Sequence, residues 1–276
     1  MQMAMDDYQL LTSTRYDTAL LEFSWNNDCD GPSPYFLLPY HYDRLQNAAK
    51  VHGWTPLKVY TYKELKAAIA NVVIVHLHGS SQSEWKLPSA LRVRILLARS
   101  GELQVTVAAL EEGFSGDPFS LSVSKDVQAV DLKSLPMISL HVDKEPTEPT
   151  LFTETKTTAR QVYEEARIRN DLAPLTTPSG KAKDVVLYNT EGLVMETSIF
   201  NIAFLRGSHW MTPSTASGCL AGVARRWLLE NGRMVEDVKG TLEVASVTHG
   251  EIVLLFNGVQ GCRLGIINGT NGRLHR

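Results

Sequence analysis

The chain has 276 residues, 43% hydrophobic and 21% charged, with a formal net charge of −3. It is long enough for two packed lobes and has no basic excess to suit a polyanion. No apolar run approaches the ~20 residues of a membrane span, the first seven residues, ending in Asp6 and Asp7, read as neither a signal-peptide apolar region nor an Arg-rich transit pattern, and Cys29, Cys219 and Cys262 are too scattered for a disulfide framework or a metal site. The expectation is a reduced, cytoplasmic protein with no nucleic-acid partner, no membrane partner and no metal.

In chain order, residues 8–16 and 35–38 read as strands. Residues 41–53 follow as a helix with Leu45, Ala48, Ala49 and His52 on one face and Gly53 at its stop. Thr61-Tyr-Lys-Glu64 is a capping box that opens a helix carrying Leu65, Ile69 and Val72. His76 and His78 have strand spacing, but no carboxylate–histidine set completes a metal site around them. Residues 92–98 and 103–109 read as a hairpin across Ser100-Gly101. The charged, proline-broken segment 143–150 reads as an interdomain linker. It divides a small domain, residues 1–142, from a larger one, residues 151–276. In the second domain a helix is expected over 156–172, strands over 184–189 and 199–205, a helix over 222–230 with Trp227 in the core, and a strand over 251–256 before a glycine turn. The fold class is α+β.

The chemistry starts from Lys156, which sits where a short β-rich run gives way to a helical pattern. A lysine held at such a junction can be partly desolvated, which disfavours the ammonium and leaves an amine able to condense with an aldehyde, although a single lysine is by itself no signal of that chemistry. Further along stand Met-Glu-Thr-Ser-Ile-Phe-Asn-Ile-Ala-Phe, residues 195–204, and Gly-Cys-Leu-Ala-Gly-Val-Ala-Arg-Arg, residues 218–226. Upstream is His41-Tyr-Asp-Arg-Leu-Gln-Asn-Ala-Ala49. With Lys-Thr-Thr-x-Arg-x-x-Tyr-x-x-Ala from Lys156 to Ala166, these four motifs, in the chain order 41–49, 156–166, 195–204 and 218–226, resemble the successive signatures of the fold-type IV pyridoxal-phosphate enzymes, the branched-chain aminotransferase-like superfamily.

That resemblance implies a small α/β lobe, a larger β-barrel-like lobe with helices, a homodimer, a small-molecule substrate and pyridoxal 5'-phosphate as cofactor. It implies that Lys156 forms the covalent link to the cofactor and that Glu196 stands at the ring nitrogen, where an acid keeps the ring protonated. The phosphate falls to Arg44, to the helix start at Val223 and Ala224, where free N–H groups and the dipole favour an anion, and to Asn257 and Gly258 in the later turn. Relatives often carry threonine at the Ala224 position, so only backbone donors remain there. Leu11-Thr-Ser-Thr-Arg-Tyr-Asp17 and the arginine four residues after the lysine are similar to aminodeoxychorismate lyases of fungal type, and the alternative is an aminotransferase of the same fold. The lyases' hydroxyl donor aligns with Ser13, flanked by Thr12 and Thr14 on the opposite strand face. Arg15, on Ser13's face, with Arg92 and Arg94 as alternatives, is the candidate for substrate carboxylates.

Overall fold

The computed structural model describes residues 8–54, 60–79, 89–123 and 135–269. The chain divides into two compact units, one of Met1–Asp117 with Thr155–Ala159 and one of Pro118–Glu154 with Arg160–Arg276.

The first unit is a three-stranded antiparallel sheet, β1 (Leu10–Asp17), β2 (Ala90–Leu97) and β3 (Leu103–Ala109), in the order β1-β2-β3. Two helices complete it, α1 (Leu38–Val51) and α2 (Tyr62–Gly79). Leu10 lies opposite Leu97, Thr12 opposite Ile95, Thr14 opposite Val93 and Tyr16 opposite Leu91. Directly paired residues share a face, so this face meets the helices and packs with Leu45, Ala48, Leu65, Ile69 and Val73. Fully burying each such side chain contributes roughly 1.5–3 kcal/mol. The other face carries Leu11, Ser13, Arg15, Asp17, Arg92 and Arg94. The capping box forms as expected, with Thr61 N–H donating to Glu64 Oε2 at 2.8 Å and Glu64 N–H to Thr61 Oγ1 at 3.3 Å.

The second unit holds an eight-stranded mixed sheet in the order β6-β5-β4-β11-β10-β7-β8-β9. Its members are β4 (Met137–Val142), β5 (Lys183–Tyr188), β6 (Val194–Thr197), β7 (Asn201–Arg206), β8 (His209–Pro213), β9 (Val235–Asp237), β10 (Ile252–Asn257) and β11 (Gly261–Gly269). β5, β7 and β10 are buried along most of their length because apolar clusters cover both sheet faces. Val186, Ile202, Phe204, Val253 and Leu255 point into one cluster, while Val185, Leu187 and Met195 meet Tyr163 and Ala166 of α3 (Gln161–Arg169). Helix α4 (Val223–Glu230) stacks Trp227 on Phe119, ring centroids 4.4 Å apart, so that indole is core. No helix among the described residues is long and apolar enough to cross a membrane.

Several sequence expectations need correction. The division falls at Asp117/Pro118 rather than after residue 142, because β4 pairs in parallel with both β11 and β5 and belongs to the larger sheet. The segment 143–150 is not a linker. Asp143 is fully buried and accepts from Arg169 and Asn170, and Thr147 N–H donates to Tyr188 O at 2.8 Å. Lys156 does not start a helix, and it groups with the first unit rather than the second. Tyr35 makes one bridge to Tyr16, after which Leu37, at a left-handed φ of 52°, turns the chain into α1. His76 and His78 lie on α2, so their side chains diverge by roughly 200° around the helix axis. β6 intervenes between the strands expected at 184–189 and 199–205.

Candidate active site

The lysine lies on a short extended strap, Thr155–Ala159, packed against β1. Leu11 N–H donates to Lys156 O at 2.8 Å, Thr158 N–H to Gln9 O at 2.9 Å, and Leu10 forms an antiparallel bridge with Thr157. Two adjacent β-branched threonines favour this extended backbone over a helix. In this register Thr157 shares the helix-covered face with Leu10. Alternation puts the half-buried Lys156 on the opposite face, that of Leu11 and Ser13.

The same register separates the three hydroxyls of β1. Thr12 and Thr14 are fully buried. Thr12 Oγ1 is 2.6 Å from His41 Nδ1 and accepts from Arg44 Nη2, while Thr14 Oγ1 donates to Phe36 O at 2.7 Å. Ser13 is half-buried on the lysine's face, opposite Arg94 in register. Arg44 therefore lies against β1 one residue beyond the point where the lysine strap attaches. Arg15 and Arg92 also pair across the sheet on Ser13's face. Arg15, however, is 4% exposed and engaged within the fold. It donates to Asp17 Oδ2 at 2.8 Å and to Glu112 O, and it lies 4.0 Å over the Phe114 ring. Arg92 is exposed and Arg94 half-buried.

In the second unit the centre is Glu196, 3% exposed at the end of β6. Its Oε1 accepts from Tyr163 Oη at 2.8 Å and Leu220 N–H at 3.3 Å, and its Oε2 from Asn201 Nδ2 at 3.1 Å. Each of these bonds is of the kind that strengthens when its acceptor is ionised. Burial and the adjacent carboxylate push the Tyr163 phenol well above its ordinary range, so it stays a donor. Asn201 also donates to Leu220 O at 2.8 Å, which fixes the chain just before α4. Gly222 is the N-cap of that helix, and no side chain caps it. The first N–H groups of α4, from Val223 and Ala224, have no acceptor within the helix, and the dipole adds positive charge there. Asn257 closes the β10–β11 turn by accepting from Val259 N–H and Gln260 N–H, and its Nδ2 donates to Ile199 O at 3.4 Å. Gly258 sits in that turn.

The loop between Glu196 and β7 is itself braced. Arg160 Nη2 donates to Ser198 O at 2.5 Å. Ser198 Oγ donates to Asp184 Oδ1, and Arg167 Nη1 reaches both Asp184 Oδ1 and Ser198 Oγ at 3.2 Å. Burial raises the Asp184 pKa, opposed by its bonds to Ser198 and by the Arg167 charge. Sequence reasoning assigned no role to Tyr163, Asn201, Arg160, Arg167, Asp184 or Ser198. All but Asp184 stand inside or beside the quoted motifs, and that proximity is the signal that could have found them.

A family model described as amino-transferase class IV matches residues 23–264. A Schizosaccharomyces pombe protein provisionally named aminodeoxychorismate lyase is 32% identical over 266 residues, covering 95% of this chain and 91% of the relative. A Saccharomyces cerevisiae aminodeoxychorismate lyase is 28% identical over 265 residues, 84% of this chain and 67% of the relative. Among solved structures, a Mesorhizobium loti protein provisionally named amino-acid aminotransferase superposes with a TM-score of 0.62 at 21% identity, over 95% of this chain and all of that one. This last likeness is one of fold. With a family match across most of its length, the chain belongs to the class IV aminotransferase family.

Proposed function

We propose that the protein is a pyridoxal-phosphate-dependent 4-amino-4-deoxychorismate lyase, releasing pyruvate and leaving 4-aminobenzoate. The observation that carries the chemistry is Glu196, a buried carboxyl that accepts from three donors. Such a group suits a cationic ring nitrogen, and the uncapped start of α4 suits a phosphate ester; the donor set fits the cofactor. The substrate class follows from the two fungal relatives and their names.

When bound, pyridoxal phosphate supplies an aldehyde that captures amines covalently and a protonated ring that accepts an electron pair. Lys156 is the residue that would hold it, through the aldehyde, until the substrate amine takes its place. Glu196 would hold the ring proton, while Val223 and Ala224 N–H groups, Arg44 and the Asn257-Gly258 turn would serve the phosphate. The freed Lys156 amine then takes the proton from the amine-bearing ring carbon. The C–O bond on the neighbouring carbon breaks, and its electron pair leaves on the enolpyruvyl oxygen as the ring becomes aromatic. Ser13 Oγ–H, with Lys156 as alternative, returns a proton to the enol carbon. Ser13 is favoured over its neighbours because Thr12 and Thr14 are spent on His41, Arg44 and Phe36. Arg92 and Arg94 are the arginines left to meet substrate carboxylates, since Arg15 is paired with Asp17. By the same family resemblance the working form is a homodimer, and the scattered cysteines suit a reduced, cytoplasmic setting.

The test is incubation of the purified protein with aminodeoxychorismate and no keto acid. Stoichiometric pyruvate and 4-aminobenzoate support the lyase. No release, together with amino transfer once a keto acid is added, would assign the protein to the aminotransferases of its family. Borohydride fixation of the cofactor in the parent but not in Lys156→Ala checks the lysine.

A further inference from the structure

Outside the groups given roles above, one polar chain runs into the lysine strap. Tyr8 Oη lies 2.7 Å from His52 Nδ1, and His52 Nε2 lies 2.7 Å from Thr155 Oγ1. His52 is the C-cap residue of α1, and its ring sits 5.3 Å from that of Tyr8 and 6.0 Å from that of Trp54. Trp54 is itself part of the first unit's core. Burial lowers the His52 pKa, which favours a neutral ring with one donating and one accepting nitrogen. In either tautomer the Thr155 hydroxyl completes a bond to it.

The placement of this contact along the strap matters. Leu11 N–H on Lys156 O, Thr158 N–H on Gln9 O and Gln9 N–H on Thr158 Oγ1 lie at or beyond the lysine carbonyl. The His52 contact lies before the lysine nitrogen. Together they bracket Lys156, fixing the backbone on both sides and so the direction in which its Cα–Cβ bond leaves the strap. A flexible four-carbon side chain then starts from one bearing.

We propose that His52 is a positioning residue for Lys156, acting through the Thr155 hydroxyl to hold the strap. The inference rests on the reading of Lys156 as the cofactor lysine. Three variants of the full chain test it. In His52→Asn the amide ends about where Nδ1 was, keeping a partner for Tyr8 but not reaching Thr155. In His52→Gln the amide ends about where Nε2 was and can restore the Thr155 contact. Thr155→Val removes the hydroxyl at constant shape. In cofactor-free protein, amide exchange at Leu11 and Thr158 is expected to quicken about fivefold in His52→Asn and Thr155→Val, the scale of one lost hydrogen bond, with His52→Gln near the parent. With pyridoxal phosphate bound, kcat should fall about tenfold in the same two variants while KM holds, as a misaimed reacting group would give. Parental exchange and parental kcat in His52→Asn and Thr155→Val would overturn the proposal. So would equal losses in His52→Asn and His52→Gln, which would mark the ring as packing alone. If the parent takes up no borohydride-fixable cofactor, the cofactor reading fails separately, and exchange in the cofactor-free chain still decides whether His52 holds the strap.

Discussion

Replacing Gly222 by alanine is expected to loosen Glu196 without touching it. The backbone raises no objection, since φ is −67° and ψ 147°, values any residue adopts. The obstacle is steric, because an added Cβ would lie 1.9 Å from Asn201 Oδ1 and 3.1 Å from its Cγ. Exchanging the amide oxygen and nitrogen gives no relief, as the NH₂ group would meet the same methyl. Asn201 must swing away, and its Nδ2 then leaves both Glu196 Oε2 and Leu220 O. A neutral bond contributes about 1 kcal/mol net and one to a charged group about 1.5–3, so the loss is about 3 kcal/mol. At roughly 2–4 °C per kcal/mol for a domain of this size, Tm should fall by roughly 6–12 °C. With one donor fewer, the buried carboxylate also gains proton affinity, and pyridoxal phosphate should bind more weakly. Thermal unfolding and cofactor titration read these effects. A double-mutant cycle with Asn201→Ala isolates the cause: once Asn201 is truncated, Gly222→Ala should cost less than about 0.5 kcal/mol. Additive losses, or a Gly222→Ala protein as stable as its parent, would refute the reasoning.

Other variants probe the remaining parts. Glu196→Gln keeps the shape but removes the charge, and kcat of the loaded enzyme should drop on the order of a hundredfold or more; an unchanged kcat would remove Glu196 from the cofactor site. Ser13→Ala should lower lyase turnover on the order of 10²–10⁴-fold at an unchanged Tm. Thr14→Val should instead cost about 1–2 kcal/mol of stability, by removing the hydroxyl that donates to Phe36 O, and leave turnover alone. Asp184→Ala leaves Arg167, 1% exposed, as a buried cation without its carboxylate, and denaturant titration should show a loss of about 3–5 kcal/mol. Burial raises the Glu236 pKa, but the Arg225 hydrogen bond and charge outweigh it and leave the pKa low. A depressed carboxyl stabilises the fold above the ordinary glutamate range and ceases to as pH falls through the folded pKa. Tm of the parent should therefore decline on that acid limb, and Arg225→Gln should flatten this contribution; a parallel decline in both would sink it.

Much of the fold is legible locally. The capping box at Thr61 and the apolar positions of α1 and α2 state their structures within a few residues, and strands β2, β3, β5 and β10 announce themselves by apolar runs ended by turn residues. The expected linker at 143–150 shows where that legibility stops. Proline and charge there describe a chain leaving a strand, but Asp143 turns inward to bind Arg169 and Asn170, partners no local pattern ties to it. Lys156 shows the same limit. The helical pattern beginning near it is real only from Gln161, because the preceding threonines are claimed by β1, a strand about 145 positions earlier.

The linear order of side chains determined which groups are present: an amine in a threonine-rich run, a carboxylate before a tight turn, glycine before a helix, and a serine between two threonines. The resemblance carried by four motifs, and no single residue or spacing, singled out the lysine, the acid and the helix start as candidates. Tertiary structure decided what each of them touches. Strand register sent Ser13 to the lysine's face and Thr12 and Thr14 beneath the helices, spent Arg15 on Asp17, and gave Glu196 its three donors from α3, β7 and the segment before α4. Hydrogen bonds reach only about 3 Å, so the partners of a buried polar group are set by whichever segments fold against it, and those segments are far apart along the chain.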